Sequence, residues 1–240
     1  EGAAAAGRLA GVLSIEGGHA IEDSLETLRR FHARGVRAMT LTWNNTNSWA
    51  DGCGPMDPAL PQHGGLTDFG RRVVGTMEEI GMAVDISHAA PATVRDVLAV
   101  AAKPPFASHS SCRALNAHRR NLDDAQLRAL AERGGVVGLV LHASFVGSGA
   151  DVDRAADHAD HLRAVGGPGV LALGTDFDGW IRTPAGLASE ADLPALWGTL
   201  AGRGWSEDEV AGMQGANFLR AWRAAWAGRT LEPRPEAGTP

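Results

Sequence analysis

An α/β fold, a (β/α)8 TIM-type barrel, is predicted by three observations. Six short apolar runs can be counted: Val12–Ile15, Ala38–Thr42, Ala83–Ile86, Phe106–Ser108, Val136–Leu141 and Leu171–Gly174. They show little alternation, as strands buried on both faces of a parallel sheet do. Amphipathic segments lie between them, so the pattern is β-α repeated. Finally, Glu16, His88, His109 and Asp176 stand at the ends of four different runs. A doubly wound sheet concentrates function at one switch point, whereas a barrel gathers site residues from the carboxyl ends of several strands. An eight-stranded barrel takes about 250 residues and only six runs are found, so the first two strands are expected upstream. The start, Glu1–Ala10, reads as the tail of a helix. Residues 1–240 are thus expected to form a single (β/α) barrel catalytic domain, incomplete at its amino end.

The segments between the strands have readable ends. Ser24 caps a helix that carries Leu25, Leu28 and Phe31 and stops at Gly35. Thr67 or Asp68 opens the next, which runs through Val73, Val74 and Met77 to Gly81. Pro91 suits the first turn of a third. Asp123 caps a fourth that ends near Gly134-Gly135, and Asp151 or Asp153 opens a fifth. Ser206–Trp226 reads as a closing helix with Glu207 and Glu209 in its first turn. The long irregular stretch from Asn44 to Leu66 follows a strand and suits a loop that covers substrate.

Composition narrows the function. The 240 residues carry a formal charge of −6 and no Lys/Arg cluster beyond an Arg-Arg pair, so nothing resembles a nucleic-acid footprint. No apolar stretch approaches the roughly 20 residues of a membrane span, and no signal peptide is visible. Cys53 and Cys112 have neither metal-motif nor disulfide-scaffold spacing. Free thiols suit a reducing compartment, so a cytoplasmic location is expected, although a signal upstream of Glu1 would escape this reading.

His88 and His109 each close an apolar run with Ser-His. Neighbouring parallel strands lie roughly 4.8 Å apart, so imidazoles at equivalent ends can reach one ion at about 2.0–2.1 Å. Either histidine alone reads as a capping or buried residue. Joined by Glu16 at a third strand end, the set reads as metal ligands. Gly17-Gly18 after Glu16 lets the backbone turn and leaves room for ions, and a carboxylate can bridge two metals. An arginine ion pair is the other reading for Glu16, and His19, past the glycines, is not read as a ligand. Asp176 is the expected proton carrier beside a metal-activated water, with Asp178 holding the loop. Arg120 read alone is a surface arginine, yet its fork suits a substrate carboxylate. His158 and His161, spaced i,i+3 on a helix, read as solvated, and His118 and His142 show no placement of note. There is no Walker A motif, no Gly-x-Gly-x-x-Gly after a strand and no Gly-x-Ser-x-Gly elbow.

Several segments in order then carry a resemblance. Ile15-Glu16-Gly17-Gly18-His19, Leu41-Thr42, Asn47-Ser48-Trp49-Ala50-Asp51, Leu66-Thr67-Asp68-Phe69-Gly70, Asp85-Ile86-Ser87-His88, Ser108-His109-Ser110, Arg120-Asn121 and Gly174-Thr175-Asp176-Phe177-Asp178-Gly179 resemble the renal (membrane) dipeptidase family, peptidase family M19. The resemblance runs from about Leu13 to Trp222. It implies a (β/α)8 barrel of the amidohydrolase type with two zinc ions per subunit, commonly a homodimer. By position Glu16 resembles the bridging carboxylate, and His88 and His109 the two histidines of one zinc. Arg120 resembles the arginine that holds the substrate's terminal carboxylate, and Asp176 the aspartate that handles the proton. The implied reaction is hydrolysis of a dipeptide's peptide bond through a metal-bridging hydroxide, with tolerance for a D-residue at the carboxyl side.

Two departures stand out. The family's His-x-Asp ligands for the other zinc have no counterpart here, in line with the two strands not found. Trp43 takes a substrate-contacting position where many members carry histidine. Loss of that donor would cost ~10²-fold by analogy with oxyanion donors, or it marks a different substrate preference. Phe145 lies near a position that is often aromatic and polar in the family. Two alternatives to a zinc dipeptidase follow: a hydrolase of another small amide, ester or lactam, and a degenerate barrel that binds without turnover.

Overall fold

The computed structural model describes residues 6–54 and 62–226. Its centre is a parallel sheet of six strands, β1 (Leu13–Glu16), β2 (Val36–Thr40), β3 (Ala83–Asp85), β4 (Phe106–Ser110), β5 (Val136–Leu139) and β6 (Leu171–Leu173). They are hydrogen-bonded in the order of the sequence, every pair parallel. A doubly wound sheet would reverse its strand order at a switch point, so the sequential order is that of a TIM-type ring. Among the described residues β1 and β6 do not pair and form the two edges. Each expected run overlaps its strand, with ends shifted by at most two residues.

The connecting helices begin where the caps predict. Ser24 Oγ accepts from Thr27 N at 3.2 Å to open α1 (Leu25–Ala33), and Thr67 does the same for α2 (Asp68–Ile80), which ends at left-handed Gly81. Pro91 is the first residue of α3 (Pro91–Val100). Asp123 and Gln126 form a reciprocal capping box at α4 (Asp124–Glu132). A single-turn helix α5 (Ala143–Val146) precedes α6 (Val152–Gly166), which Asp151 caps. The sequence reading missed α7 (Leu193–Gly202) because Leu193-Pro-Ala-Leu-Trp-Gly-Thr-Leu-Ala-Gly202 has no polar stripe to set a period. The closing helix is broken into α8 (Glu207–Ala211) and α9 (Asn217–Trp226) by a wide turn in which Gly215 takes φ 159°. Residues 8–12 carry no helix, so the expected helix tail at the amino end does not form there, and residues 1–5 lie outside the described residues.

Two faces of the sheet bury different surfaces. The main core joins the strands to the outer helices through Leu28, Met77, Val94, Leu127, Leu162 and their neighbours. A second cluster, Ala38, Ala83, Phe106, Val136 and Ala172 from β2 to β6, packs against Ala221 and Ala225 of α9, with Phe218 and Trp222 beside them. Helix α9 therefore closes the mouth at the amino ends of the strands and leaves the opposite mouth for chemistry. His158 corrects its reading as solvated. It is 0 % exposed, its Nδ1 accepts from Cys112 N at 3.1 Å and its Nε2 donates to the Val146 carbonyl at 3.0 Å. His161 is half-buried and meets Asp124 Oδ1 at 2.8 Å. Cys53 and Cys112 are free, as their spacing predicts, and both are buried.

Candidate metal centre

Register brings the first site residues together. Glu16 ends β1 and pairs with Thr40, and Thr40 pairs with Asp85, so three polar side chains stand abreast facing the ring interior. Gly17 leaves the strand with φ 106°. A Cβ on Gly18 would lie 2.4 Å from the buried Trp49 ring, so only glycine fits there. His88 follows β3 by three residues with φ 65°, a left-handed conformation uncommon in a non-glycine residue and concentrated at functional sites. Its carbonyl accepts from Cys53 N at 2.8 Å. His109 lies within β4 and is buried.

Glu16, His88 and His109 converge. His88 Nε2 is 2.9 Å from Glu16 Oε1 and 3.0 Å from His109 Nε2, and His109 Nε2 is 3.4 Å from the same Oε1. Donors at 2.0–2.1 Å from a tetrahedral ion stand about 3.4 Å apart, so the spacing fits one cation. The opposite ring nitrogens are engaged elsewhere: His88 Nδ1 lies 3.1 Å from Asn44 Oδ1, and His109 Nδ1 lies 2.8 Å from Ser108 Oγ. Among the described residues no other trio of His, Cys, Asp or Glu side chains meets this condition.

The electrostatics favour the ligand forms. Burial pushes His109 down to about 4, helped by the Arg120 charge, and burial likewise lowers His88. Both imidazoles are therefore neutral at pH 7, as metal ligation requires. The hydrogen bond from His88 holds Glu16 below the usual carboxylate range. Asp176 is pushed the other way, to about 6, by burial first and then by the Glu16 charge. It borders a cavity of about 410 Å³ together with Glu16, His109, Ser108 and Asp85. Asp178 does not share that cavity. Asp176 and Asp178 both take left-handed φ, 61° and 63°, so strand alternation does not carry through the loop. Asp178 is exposed and makes no hydrogen bond among the described residues, so it does not hold the loop as expected.

Arg120 is not the surface arginine that the residue read alone suggests. It is 6 % exposed, and its Nε and Nη2 have no partner among the described residues. Its guanidinium lies 5.3 Å from the centroid of the Phe145 ring. That ring stacks with His118 at 4.3 Å and with His142 at 4.4 Å, two histidines that show no placement of note in the sequence. Asn116 and Asn121 both donate to the Phe145 carbonyl at 2.9 Å and so tie the loop bearing Arg120 to α5. Trp43 is 40 % exposed, its ring centroid 6.3 Å from that of His88. His19 meets Asn45 rather than the cluster. Of the Asn44–Leu66 stretch, residues 55–61 lie outside the described residues. The rest is anchored by buried Asp51, whose carboxylate accepts from the backbone of Gln62, His63 and Gly65.

The sequence as a whole matches the profile of the membrane dipeptidase family, peptidase family M19, over residues 1–233. The chain belongs to the membrane dipeptidase family. Dipeptidase 3 of Homo sapiens is 36% identical over 226 residues, 93% of this chain and 46% of the relative. Dipeptidase aclJ of Aspergillus oryzae is 40% identical over 218 residues, 89% of this chain and 51% of the relative. The chain thus spans about half the length of the curated relatives it matches. Among solved structures, a metallo peptidase from Rhodobacter sphaeroides, liganded with a phosphinate mimic of the dipeptide L-Ala-D-Ala, is 30% identical with a TM-score of 0.85. That alignment covers 92% of this chain and 65% of the other. An amidohydrolase from Pseudomonas aeruginosa is 28% identical with a TM-score of 0.80, covering 89% of this chain and 72% of the other.

Proposed function

We propose that this member of the membrane dipeptidase family is a zinc-dependent dipeptidase whose metal is held by Glu16, His88 and His109. The observation that carries the reading is the approach of three donor atoms to within 3.4 Å of one another. Two imidazoles and a carboxylate are an ordinary zinc donor set. Glu16 Oε2 makes no hydrogen bond among the described residues, so the carboxylate would have an oxygen left for a second zinc. When bound, the metal supplies Lewis acidity that polarises the scissile carbonyl and acidifies water.

The chain's own residues supply the rest. Arg120 presents a buried guanidinium whose Nε and Nη2 are unpartnered among the described residues, which suits the free carboxylate of a dipeptide. Requiring that carboxylate one residue from the cleaved bond restricts the substrate to dipeptides. Asp176, at about 6, can take a proton near neutral pH and return it to the leaving nitrogen. Tolerance for a D-residue at the carboxyl side is part of the same reading, supported by the L-Ala-D-Ala mimic held by the Rhodobacter relative. Trp43, exposed beside His88, favours a second reading in which the pocket accepts another small amide or lactam.

The test is zinc content by elemental analysis, with hydrolysis of L-Ala-L-Ala, L-Ala-D-Ala and a lactam panel, for the protein and its Asp176→Asn variant. The expected result is bound zinc, dipeptide turnover that chelator abolishes, and at least ~10²-fold slower turnover in the variant. Equal rates remove Asp176 from the mechanism. Absence of zinc in folded protein defeats the metal reading, and lactam turnover without dipeptide turnover selects the second one.

A further inference from the structure

Asp85 ends β3, is buried, and is not one of the three clustered donors. Its Oδ1 accepts from the backbone N–H groups of Ser87 and Ser108, each at 2.9 Å. Its Oδ2 accepts from the hydroxyls of Thr40 and Ser108, each at 2.6 Å. With two backbone N–H groups and two hydroxyls directed at it, Asp85 is the acceptor throughout, and the single hydroxyl hydrogen of Ser108 goes to its Oδ2 at 2.6 Å rather than to Ser87 Oγ at 3.1 Å. Ser108 Oγ can then meet His109 Nδ1, 2.8 Å away, only as an acceptor. Nδ1 therefore carries the proton and Nε2 keeps its lone pair. His88 has no such constraint. Its Nδ1 faces the carboxamide of Asn44, which can present either oxygen or NH2 by turning end for end.

We infer that Asp85 is a positioning residue that fixes, through the Ser108 hydroxyl, the tautomer of His109 whose lone pair faces Glu16 and His88. The inference rests on the reading of those three residues as metal ligands. Asp85 sets proton order without joining the donor cluster. The in-register row Glu16–Thr40–Asp85 places its carboxylate within reach of both Thr40 and Ser108. The strand-end segment that delivers His88 also braces His109, because Ser87 Oγ accepts from His109 N at 3.0 Å. Partners in this position orient a ligating imidazole and raise its affinity for metal.

The deciding variant is Asp85→Asn. The N–H groups of Ser87 and Ser108 hold the new carboxamide with its oxygen at the Oδ1 position, so its NH2 points at the hydroxyls. Ser108 then accepts from that NH2 and turns its own hydrogen to His109 Nδ1, and the ring proton moves to Nε2. In metal-free protein, long-range 1H–15N spectra of the imidazoles are expected to show the Nδ1–H form of His109 in the wild type and the Nε2–H form in Asp85→Asn. Zinc affinity, measured by competition with a chromophoric chelator, is expected to fall ~10–100-fold. Ser108→Ala keeps the carboxylate and breaks the bridge, and it covers the case in which Asp85→Asn does not fold. It is expected to weaken zinc binding by a similar factor. An unchanged tautomer in folded Asp85→Asn, or zinc affinity within twofold of wild type in Ser108→Ala, overturns the inference. A wild type with the Nδ1–H form that binds no zinc overturns the metal reading instead.

Discussion

Arg120 illustrates how a single side chain is prepared for a ligand. Burial lowers its pKa, and two of its N–H-bearing nitrogens are unpartnered among the described residues, a costly state for a buried cation unless an anion completes it. The Phe145 face and its two stacked histidines hold the fork from one side. Lysine would keep the charge and lose the planar fork. Arg120→Lys is therefore expected to raise KM for a dipeptide ~10–100-fold, the worth of a charge-assisted hydrogen bond, and to change kcat little. The same reasoning expects the wild type to hydrolyse a dipeptide carboxamide far more slowly than the free acid. Steady-state kinetics on the two substrates checks both.

At the scale of elements, β4, β5 and β6 approach so closely that a Cβ on Gly138 or Gly174 would lie 2.1 or 1.9 Å from the Ser108 carbonyl oxygen. Gly174→Ala is expected to destabilise the protein by about 1–3 kcal/mol and to weaken zinc binding, because the strain falls on the residue that braces His109. Gly75→Ala is its counterpart. Gly75 is an exposed position inside α2 where a Cβ meets nothing within 4 Å, so a gain of about 0.5–1 kcal/mol is expected. Urea unfolding of the two variants tests the opposed signs. Helix α6 adds a pH dependence through His158. Burial lowers its pKa from 6.5 to about 4, so between those values the unfolded chain binds more protons than the folded one. Stability is then full above pH 6.5 and falls as pH drops toward 4. This histidine's share is on the order of 3 kcal/mol. His158→Asn is expected to flatten that part of the wild-type stability profile, read from denaturant midpoints across pH 4–7.

Across the whole molecule, protection is uneven. All residues of β5 are buried, whereas β1 is an edge strand and Leu13 is 58 % exposed. Opening free energies follow burial and contact density. Amides of β1 are expected to exchange with solvent well before those of β4 and β5, and zinc should slow β1 exchange because Glu16 ties that edge to His88 and His109. Hydrogen exchange with and without zinc would reveal this, and equal protection of β1 and β5 would contradict it. The ring order also explains why the site lies where it does. With α9 packed under the amino ends of the strands, the carboxyl ends are the mouth that stays available to substrate.

Much of this was legible in the residues. The apolar runs located every strand of the described sheet, and the caps at Ser24, Thr67, Asp123 and Asp151 located their helices, because those signals act over a few neighbours. Glu16, His88 and His109 were legible because each closes a run. Helix α7 was not, since a segment without a polar stripe carries no period. His158 was misread, and the burial of Arg120 was not visible from its neighbours, because burial of a polar side chain depends on what packs over it from distant segments. The sequence by itself determined the order of strands, the starts of the capped helices and the chemical types at the strand ends. The tertiary structure alone decided that a Phe145 stack holds Arg120 and that Asp85, Ser108 and His109 share a line of hydrogen bonds. Those depend on strand register and loop approach across many residues, which local propensity does not encode.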